Sequence, residues 1–331
     1  MDSENGLTEV APASKETTSP RVSVIVVTYR STEELPSCAE SVLRQRVPLE
    51  LFIVDNASPD ATPAMVSAYG EKYQNVYPIL NSENIGLAAG NNRPLGRCRG
   101  DYVLILNPDT ILREDALGKM VQYLDDHPDV GVLGPKNVYA DGRAHVSYHH
   151  AWGFFHVLFW RVFPYSIIRP FYDRFTSYQP QDVMFVSGAC LLIRREIFER
   201  IGGYDEQYFL TIEDVADLCI RAKKTGYRVV FSPDAEVLHL TGRSGAQVPY
   251  IVLWQANRGT VYHFRKHKGL PQAVLVTLLL FTFAAVRVLV EGFLGIGSTR
   301  YRRVARLYAN VCRDLLIRNP ILNSDDKEPR R

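Results

Sequence analysis

Three short apolar segments, each followed by polar residues, constrain the fold of this chain more than any other feature. They cover residues 22–27, 51–54 and 102–106, and Val, Ile and Leu dominate all three. Apolar runs of this length are typical of strands buried on both faces of a sheet. Between the first two, Leu35, Cys38, Ala39 and Val42 repeat with helical period. Strands that alternate with helices predict a parallel α/β sheet.

Local signals predict where several elements begin or turn. Ser31 and Glu34 have the spacing of a capping box in front of the first helix. Thr62 and Pro63 have the pattern of an N-cap and a first-turn proline for a second helix. The Asp-Gly pair at 141–142 predicts a hairpin turn, so we expect antiparallel strands in the second half. Two further strand candidates are residues 183–186 and 228–231.

Composition excludes several classes of protein. The 331 residues are 46% hydrophobic and carry a net charge of +2, which excludes a broadly basic surface for nucleic acid. The five cysteines are scattered and form no CxxC pair, which argues against a disulfide framework or structural zinc and for a reducing compartment. Residues 1–20 are polar and lack a basic start followed by an apolar run, so we expect a disordered tail without a secretory signal.

Polar residues follow each of the three predicted strands. Ligands bind beyond the carboxyl ends of the strands in α/β sheets, so we expect a site at this edge. Asp109, in Asn107-Pro-Asp109, can hold a hard divalent cation that neutralises a diphosphate. Asp55 can accept hydrogen bonds from a nucleobase or a ribose. Taken alone, both patterns also fit turns that end a strand, and the turn is the favoured interpretation.

Two further segments carry candidate residues. Residues 84–92 form an amide-rich loop in which Gly86 and Gly90 would let the backbone approach a ligand, unless the loop is only a connector. The loop matches neither the dinucleotide-binding pattern nor the Walker pattern. Glu213 and Asp214 are adjacent carboxylates at a predicted helix start. They would serve either as caps or, beside an acceptor hydroxyl, as a general base.

The histidines give a weak signal by themselves. His239 has apolar neighbours in the sequence, and alone this favours a structural residue over a metal ligand. The other seven histidines show no spacing typical of metal ligands. We expect His149, His150, His263 and His267 to be surface groups.

The C-terminal part of the chain predicts membrane association. Residues 152–172 are dense in aromatic side chains, and the apolar run 273–286 is shorter than the roughly 20 residues that span a bilayer. Residues 300–318 form a basic amphipathic pattern that suits an anionic lipid surface. We expect peripheral attachment to the cytoplasmic leaflet. The alternatives are a buried core helix over 270–290 and a spanning helix, which Arg287 and Glu291 disfavour.

The order of the motifs is more specific than any single motif. The ordered segments are residues 22–31, 51–58, 84–92, 104–110, 187–195, 202–221 and 237–244. Together they resemble family 2 glycosyltransferases of the GT-A fold, especially the rhamnosyltransferase-like branch, over roughly residues 21–265. The resemblance implies an α/β domain, Rossmann-like, with a mixed, mainly parallel sheet. Its divisions are tails at 1–20 and 321–331, the catalytic domain at 21–268 with an aromatic insert at about 151–173, and membrane-associated helices at 269–320.

The resemblance also implies roles for individual residues. Asp214 would be the catalytic base, and Glu213 would help to place the acceptor. Asp109 and His239 would hold Mg²⁺ or Mn²⁺. For His239 this role reverses the structural interpretation that its own sequence neighbours favour. Asn107 stands where many relatives have the first Asp of a DxD motif. The nucleotide-sugar site would comprise Thr28, Tyr29, Arg30, Asp55, Asn84, Gly86, Asn91, Asn107, Arg243 and Ser244, and Gly188 and Ala189 would face the acceptor.

The function implied is that of an inverting, metal-dependent glycosyltransferase in cell-envelope glycan synthesis. The donor would be a nucleotide sugar, with L-rhamnose from dTDP-rhamnose preferred and a UDP-sugar as the alternative. The acceptor would be a lipid-linked sugar or a polysaccharide, and the oligomeric state stays open. Two other classes of protein compete. One is a nucleotidyltransferase, although this sequence lacks the phosphate loop that such enzymes usually carry near the first strand. The other is an inactive membrane scaffold.

Overall fold

A computed structural model describes residues 19–163, 179–240, 249–319 and 321. Its strands form one large mixed sheet and a two-stranded sheet. The strands are β1 (Val22–Thr28), β2 (Leu49–Asp55), β3 (Val76–Leu80), β4 (Tyr102–Leu106), β5 (Thr110–Leu112), β6 (Val130–Val138), β7 (Tyr148–His149), β8 (Gln181–Asp182), β9 (Phe185–Val186), β10 (Cys190–Arg194) and β11 (Arg228–His239).

The helices lie between the strands and after the last one. In the described ranges they are α1 (Leu35–Leu43), α2 (Thr62–Lys72), α3 (Leu87–Asn92), α4 (Ala116–Asp126), α5 (Phe154–Val162), α6 (Arg195–Arg200), α7 (Glu213–Lys224), α8 (Pro249–His267), α9 (Leu270–Leu294) and α10 (Thr299–Ile317). A short 3₁₀ turn covers Leu95–Arg97.

The order of strands in the large sheet is β3-β2-β1-β4-β10-β6-β11-β5, and β8 pairs with β11. The first four strands are parallel, whereas β10 runs antiparallel to β4 and β6. Every residue of β1 is buried because helices cover both faces of the sheet. Val24 and Val26 pack in one core cluster, and Ile25 and Val27 pack in the other.

The sequence patterns predicted the elements better than their first turns. The three apolar runs are β1, β2 and β4, and Gly142 lies in a hairpin turn with a φ of 79°. The capping-box prediction is wrong: the N-cap of α1 is Glu34 in a helical conformation, and no side chain caps the helix. The backbone N–H of Ser31 instead donates to Thr62 Oγ1 at 3.1 Å, which ties the loop after β1 to the start of α2.

Helix α9 is longer than the apolar run from which we inferred it. It covers 25 residues and, among the described residues, is the one helix long and apolar enough to cross a membrane. Most of it is exposed, so it is not the core helix that the sequence left open as an alternative. Arg287 pairs with Glu291 at 2.5 Å and stacks on Tyr308 of α10, 5.1 Å from the ring centroid. The two charges therefore neutralise each other against the neighbouring helix.

Candidate active site

A cleft of about 330 Å³ opens at the carboxyl ends of β1 and β4. We call it the donor cleft. Parallel pairing of β1 with β2 and β4 brings the ends of these strands to one edge, as the sequence predicted. Seven of the residues to which the resemblance gave a role line it: Thr28, Tyr29, Asn84, Gly86, Asn107, Asp109 and His239.

Asp109 and His239 become neighbours through the pairing of β5 with β11. In this antiparallel pair Thr110 lies opposite His239, and the Leu240 N–H donates to the Asp109 carbonyl at 2.9 Å. As a result His239 Nε2 lies 3.4 Å from Asp109 Oδ1, and both side chains are nearly buried. They are 130 positions apart in the sequence, which hides this contact from sequence reasoning.

Three predicted nucleotide residues are described but do not line the cleft. Asp55 is buried behind Thr28, where its carboxylate accepts hydrogen bonds from Ser58 Oγ at 2.5 Å, from the Ser58 N–H at 2.9 Å and from Thr28 Oγ1. Asn91 is buried and donates to the Leu87 carbonyl of its own helix. The Arg30 guanidinium lies 5.6 Å from the centroid of the Tyr29 ring. Arg243 and Ser244 lie outside the described residues.

Sequence reasoning missed part of the wall. Asn56, Phe209 and Leu210 line the donor cleft with Val27, Leu87 and Pro108. Asn56 follows β2 directly, so its position after a strand was a usable signal, and its Nδ2 donates to the Gly86 carbonyl at 3.0 Å. Phe209 packs on Gly86, which has a φ of 88°, and a Cβ there would lie 2.7 Å from the Phe209 ring. Glycine is therefore required at this contact.

Glu213 and Asp214 begin α7, and both are buried. Asp214 Oδ1 accepts a hydrogen bond from the Val215 N–H, whereas Oδ2 is buried without a hydrogen-bond partner among the described residues. Burial, reinforced by the charge of Glu213, raises the pKa of Asp214 to about 7. A carboxylate that is half-protonated near neutral pH, with one unbonded oxygen, can exchange a proton with a ligand.

Helix α8 fixes the loop that leads into α7. Thr260 Oγ1 donates to Glu213 Oε1 at 2.6 Å, and Tyr262 and Lys266 both bind Asp205 Oδ2. A Cβ on Gly259 would lie 2.4 Å from Thr211, so the two segments touch. Burial also raises the pKa of Glu213, against the hydrogen bond from Thr260. Helix α8 is thus part of the frame around the two carboxylates.

Asp217, one turn after Asp214, has a structural role, because its carboxylate is held by three basic side chains. Its carboxylate contacts Arg221 Nε at 2.6 Å, Lys266 Nζ at 2.6 Å and His267 Nε2 at 2.7 Å. Burial alone would raise the pKa of Asp217, but the hydrogen bond from His267 and the charges of Arg221 and Lys266 outweigh it and lower the pKa. This network joins α7 to the end of α8.

A second pocket of about 400 Å³ lies beside the first. We call it the aromatic pocket. Glu213, one of the two buried carboxylates, lines this pocket. Its other lining residues are His145, Val146, His149, Trp152, Val157, Trp160, Arg161, Ile212, Ala256 and Thr260. The ring of His145 contacts that of His239, with centroids 5.0 Å apart, so the two cavities meet at this pair.

Gly188 and Ala189, the predicted acceptor residues, line neither cavity. The Ala189 carbonyl accepts a hydrogen bond from the Asn107 N–H at 2.9 Å, and a Cβ on Gly188 would lie 3.1 Å from Val215. Their loop therefore connects the donor cleft to the first turn of α7.

The expectation of surface histidines is wrong for three of the four residues. His149 and His263 are buried, and burial lowers the pKa of each to about 3. The His267 side chain is 5% exposed and bonded to Asp217. Of the four, His150 is exposed. All five cysteines lie in the described ranges and are free, as expected.

Comparisons with known proteins identify the family of the chain. The model of glycosyl transferase family 2 matches residues 23–202, which is more than half of the chain. The chain belongs to glycosyl transferase family 2. This glycosyltransferase is 30% identical over 275 residues to the N-acetylglucosaminyl-diphospho-decaprenol L-rhamnosyltransferase of Mycobacterium tuberculosis, covering 76% of this chain and 87% of that one. The rhamnosyltransferase-like branch of the family is thereby confirmed.

Solved structures confirm the GT-A fold of the glycosyltransferase. A mannosyltransferase from Pyrobaculum calidifontis, in complex with GDP-Man and Mn²⁺, superposes with a TM-score of 0.54 at 21% identity, covering 94% of this chain and 89% of that one. GalNAc-T7, with UDP, GalNAc and Mn²⁺, superposes with a TM-score of 0.56 at 16% identity, covering 76% of this chain and 48% of that one.

Proposed function

We propose that this glycosyltransferase transfers a sugar from a nucleotide-sugar donor to a lipid-linked acceptor in one inverting, metal-dependent step. The donor we favour is dTDP-L-rhamnose, because the relative from Mycobacterium tuberculosis is an L-rhamnosyltransferase that acts on a diphospho-decaprenol. The observation that carries the proposal is Asp214. Its Oδ2 is buried and has no hydrogen-bond partner among the described residues, and its pKa is raised. It lies in the first turn of α7, the helix that begins beside the aromatic pocket.

Asp109 and His239 fit a divalent cation bound together with a substrate. Asp109 Oδ1 and His239 Nε2 are 3.4 Å apart and line the donor cleft, so they can share one ion. The described residues contain no group of three His, Cys, Asp or Glu arranged as a metal site. Two protein ligands suit Mg²⁺ or Mn²⁺, which complete their coordination with phosphate oxygens and water. When bound, such an ion would neutralise charge on the diphosphate leaving group.

The chain itself supplies the proton transfer. Asp214 Oδ2 takes the proton of the acceptor hydroxyl, whose oxygen forms a bond to the anomeric carbon. The bond from that carbon to the diphosphate oxygen breaks at the same time, and the configuration inverts. Burial of Glu213 and Asp214 keeps water away from both carboxylates. It also raises the pKa of Asp214 to about 7, close to the pH at which a general base is most effective. A single displacement needs no carboxylate nucleophile.

The C-terminal helices attach the enzyme to the cytoplasmic face of a membrane. Helix α9 exposes a continuous set of large apolar side chains, with Leu289 74% and Phe293 75% exposed. An exposed apolar surface of this size supports contact with a lipid surface. On α10 the arginines at 300, 302, 303, 306 and 313 are exposed and would attract anionic lipid.

One experiment tests the proposed reaction. The purified full chain is incubated with a panel of nucleotide sugars, including dTDP-L-rhamnose and UDP-sugars, a lipid-linked diphosphate sugar as acceptor, and Mn²⁺ or EDTA. We expect one donor to be used, with metal-dependent release of nucleoside diphosphate and an inverted anomeric centre in the product by NMR. Retention of configuration, or full activity in EDTA, would contradict the mechanism. Release of pyrophosphate would indicate a nucleotidyltransferase instead.

A further inference from the structure

Helix α5 presents two different faces. Val157, Trp160 and Arg161 have the i, i+3, i+4 spacing of one helical face and line the aromatic pocket. Phe155 and Phe159 are exposed, the former by 80%. The helix also packs against α9, whose outer surface is apolar. Helix α5 therefore stands between the aromatic pocket and the surface that we assign to the membrane.

Arg161 carries the positive charge of this pocket, and its guanidinium has no counter-ion among the described residues. Arg161 is the only lysine or arginine among its described lining residues. It donates one hydrogen bond, from Nη2 to Asn257 Oδ1 at 3.0 Å, and in the described ranges no carboxylate comes within ion-pair distance of it. Burial lowers the pKa of Arg161, and the charge of Glu213 opposes this effect.

The charge of Glu213 acts on Arg161 from a distance, but Glu213 forms no ion pair with it among the described contacts, and its Oε1 accepts the hydrogen bond from Thr260. Arginine stays protonated in proteins, so Arg161 is a partly buried cation whose hydrogen-bond partner, among the described residues, is a neutral amide. Such a group is costly unless an anion joins it. The geometry thus favours an anionic group of the ligand at this end of the pocket.

The walls require that the rest of the ligand be apolar. Trp152, Val157, Trp160 and Ile212 supply aromatic and aliphatic surface. A ligand that satisfies both the cation and these walls is an amphiphile, with a phosphate at one end and a hydrocarbon chain at the other. Glu213 lines the same pocket as Arg161, so a phosphate bound to Arg161 would lie near the predicted acceptor carboxylates.

We infer that the aromatic pocket is the subsite for the phosphate or diphosphate of the lipid-linked acceptor. Arg161 donates to its oxygens, the aromatic walls hold the first part of the lipid chain, and α5 directs that chain to the membrane surface. This inference rests on the proposed function, and it adds the residue and the chemistry that select the acceptor. Because Arg161 keeps donors that Asn257 does not use, it can bind an anion without losing its present contact.

Tryptophan fluorescence gives a direct readout, since Trp152 and Trp160 line the pocket and the remaining tryptophan, Trp254, is buried in the core. The full chain is titrated with farnesyl diphosphate, farnesol, inorganic pyrophosphate and phosphatidylglycerol vesicles. We expect farnesyl diphosphate to bind more tightly than farnesol or pyrophosphate, and both to compete with it. Equal affinity for farnesol and farnesyl diphosphate would overturn the inference. Displacement of farnesyl diphosphate by phosphatidylglycerol vesicles alone would show a general site for anionic lipid and would overturn it too.

Variants locate the effect at Arg161. We expect Arg161→Gln to weaken farnesyl diphosphate binding about 10- to 100-fold, as for the loss of charge-assisted hydrogen bonds, and to leave farnesol binding unchanged. Arg161→Lys should retain part of the affinity, and Arg265→Gln, an exposed change on α8, should retain all of it. Equal affinities of Arg161→Gln and the native chain for farnesyl diphosphate would refute the assignment.

A structural role for Arg161 has a different signature. Without ligand, Arg161→Gln should melt at the same temperature as the native chain or higher, because it removes a partly buried charge that has no counter-ion among the described residues. If that variant does not fold, Arg161→Lys and the competition by pyrophosphate decide the matter. The proposed function fails separately, if the native chain binds and transfers no nucleotide sugar. If transfer occurs and Arg161→Lys leaves the acceptor KM unchanged, only this inference fails.

Discussion

The donor cleft and the aromatic pocket are neighbours of similar size, but the chain builds them in different ways. The donor cleft takes most of its wall from residues that follow parallel strands, such as Thr28 and Asn107, together with backbone around Gly86. The aromatic pocket combines side chains of α5, α7 and α8 with residues that precede α5 and α7, and these segments are distant from one another in the sequence. The comparison teaches that the polar site follows from the sheet, whereas the apolar site depends on how helices pack around Glu213.

Asp214 follows Glu213, which lines the aromatic pocket, and it is the proposed base, so its change should have the largest effect. Asp214→Asn removes the base and nearly preserves the shape. We expect turnover to fall about 10²- to 10⁴-fold, as is typical when a general base is lost, with donor affinity largely retained. For the native enzyme, kcat/KM should decline as the pH falls below about 7, because burial raises the pKa of Asp214 to about 7. Steady-state kinetics over a range of pH check both statements.

The stability of the same variant shows whether it is folded. The native carboxyl group has a raised pKa in the folded state, so its contribution to stability is fully present below the ordinary value of 3.8 and is lost as the pH rises through about 7. Asn carries no such penalty. From about pH 4 to pH 8, Asp214→Asn should therefore gain up to about 4 kcal/mol in the free energy of unfolding relative to the native chain. Near-normal turnover in this folded variant would rule out the role of base.

Substitutions on the exposed apolar surface of α9 should weaken membrane binding and leave the donor cleft intact. Replacement of both Leu289 and Phe293 by Ser should weaken binding to anionic vesicles about 100-fold or more, since two large exposed side chains lose their contact with lipid. Leu80→Ser, a change at an equally apolar but distant exposed site, should have no effect in the same sedimentation assay. Truncation after His267 should leave a folded, soluble fragment. An unfolded fragment, or a native chain that never binds vesicles, would contradict the attachment.

Asp109 tests the donor cleft alone. Asp109→Asn should weaken binding of the nucleoside diphosphate in the presence of Mn²⁺ about 10- to 100-fold, because a charged ligand becomes a neutral one. Farnesyl diphosphate binding to the aromatic pocket should stay the same. Calorimetry with and without Mn²⁺ measures the difference. A loss of affinity for both ligands would mean that the two cavities are not independent, and an unchanged affinity for metal and nucleotide would remove Asp109 from the metal site.

The smallest effect is expected at the hydrogen bond that supports Glu213. Thr260→Val removes the donor to Glu213 Oε1, and we expect the acceptor KM to rise about 3- to 10-fold with an unchanged donor KM. Thr277→Val is the matched control, since Thr277 also donates to the carbonyl four residues earlier in its helix but lies in α9. A change in donor KM with no change in acceptor KM would reverse our assignment of the two cavities.

The positions of the strands could be predicted from the sequence, because short apolar runs followed by polar residues have few other solutions. The runs that became β1, β2 and β4 placed Thr28, Tyr29, Asn107 and Asp109 at one edge before any contact was known. The capping box at Ser31 failed, since the Ser31 N–H binds Thr62 and the local pattern carries no trace of that distant partner. His149 and His263 failed as surface groups for a similar reason: the helices and strands that bury them are remote in the sequence.

The sequence by itself thus determined the α/β class, the edge of the sheet at which the donor cleft opens and the family, because each follows from local periodicity and from the order of motifs along the chain. Tertiary structure decided that His239 faces Asp109, since the register of β5 against β11 sets that distance. It also decided that Arg161, partly buried, lines the same pocket as Glu213 and has no counter-ion among the described residues. Burial and pairing depend on side chains brought together from distant segments, and only the folded chain specifies them.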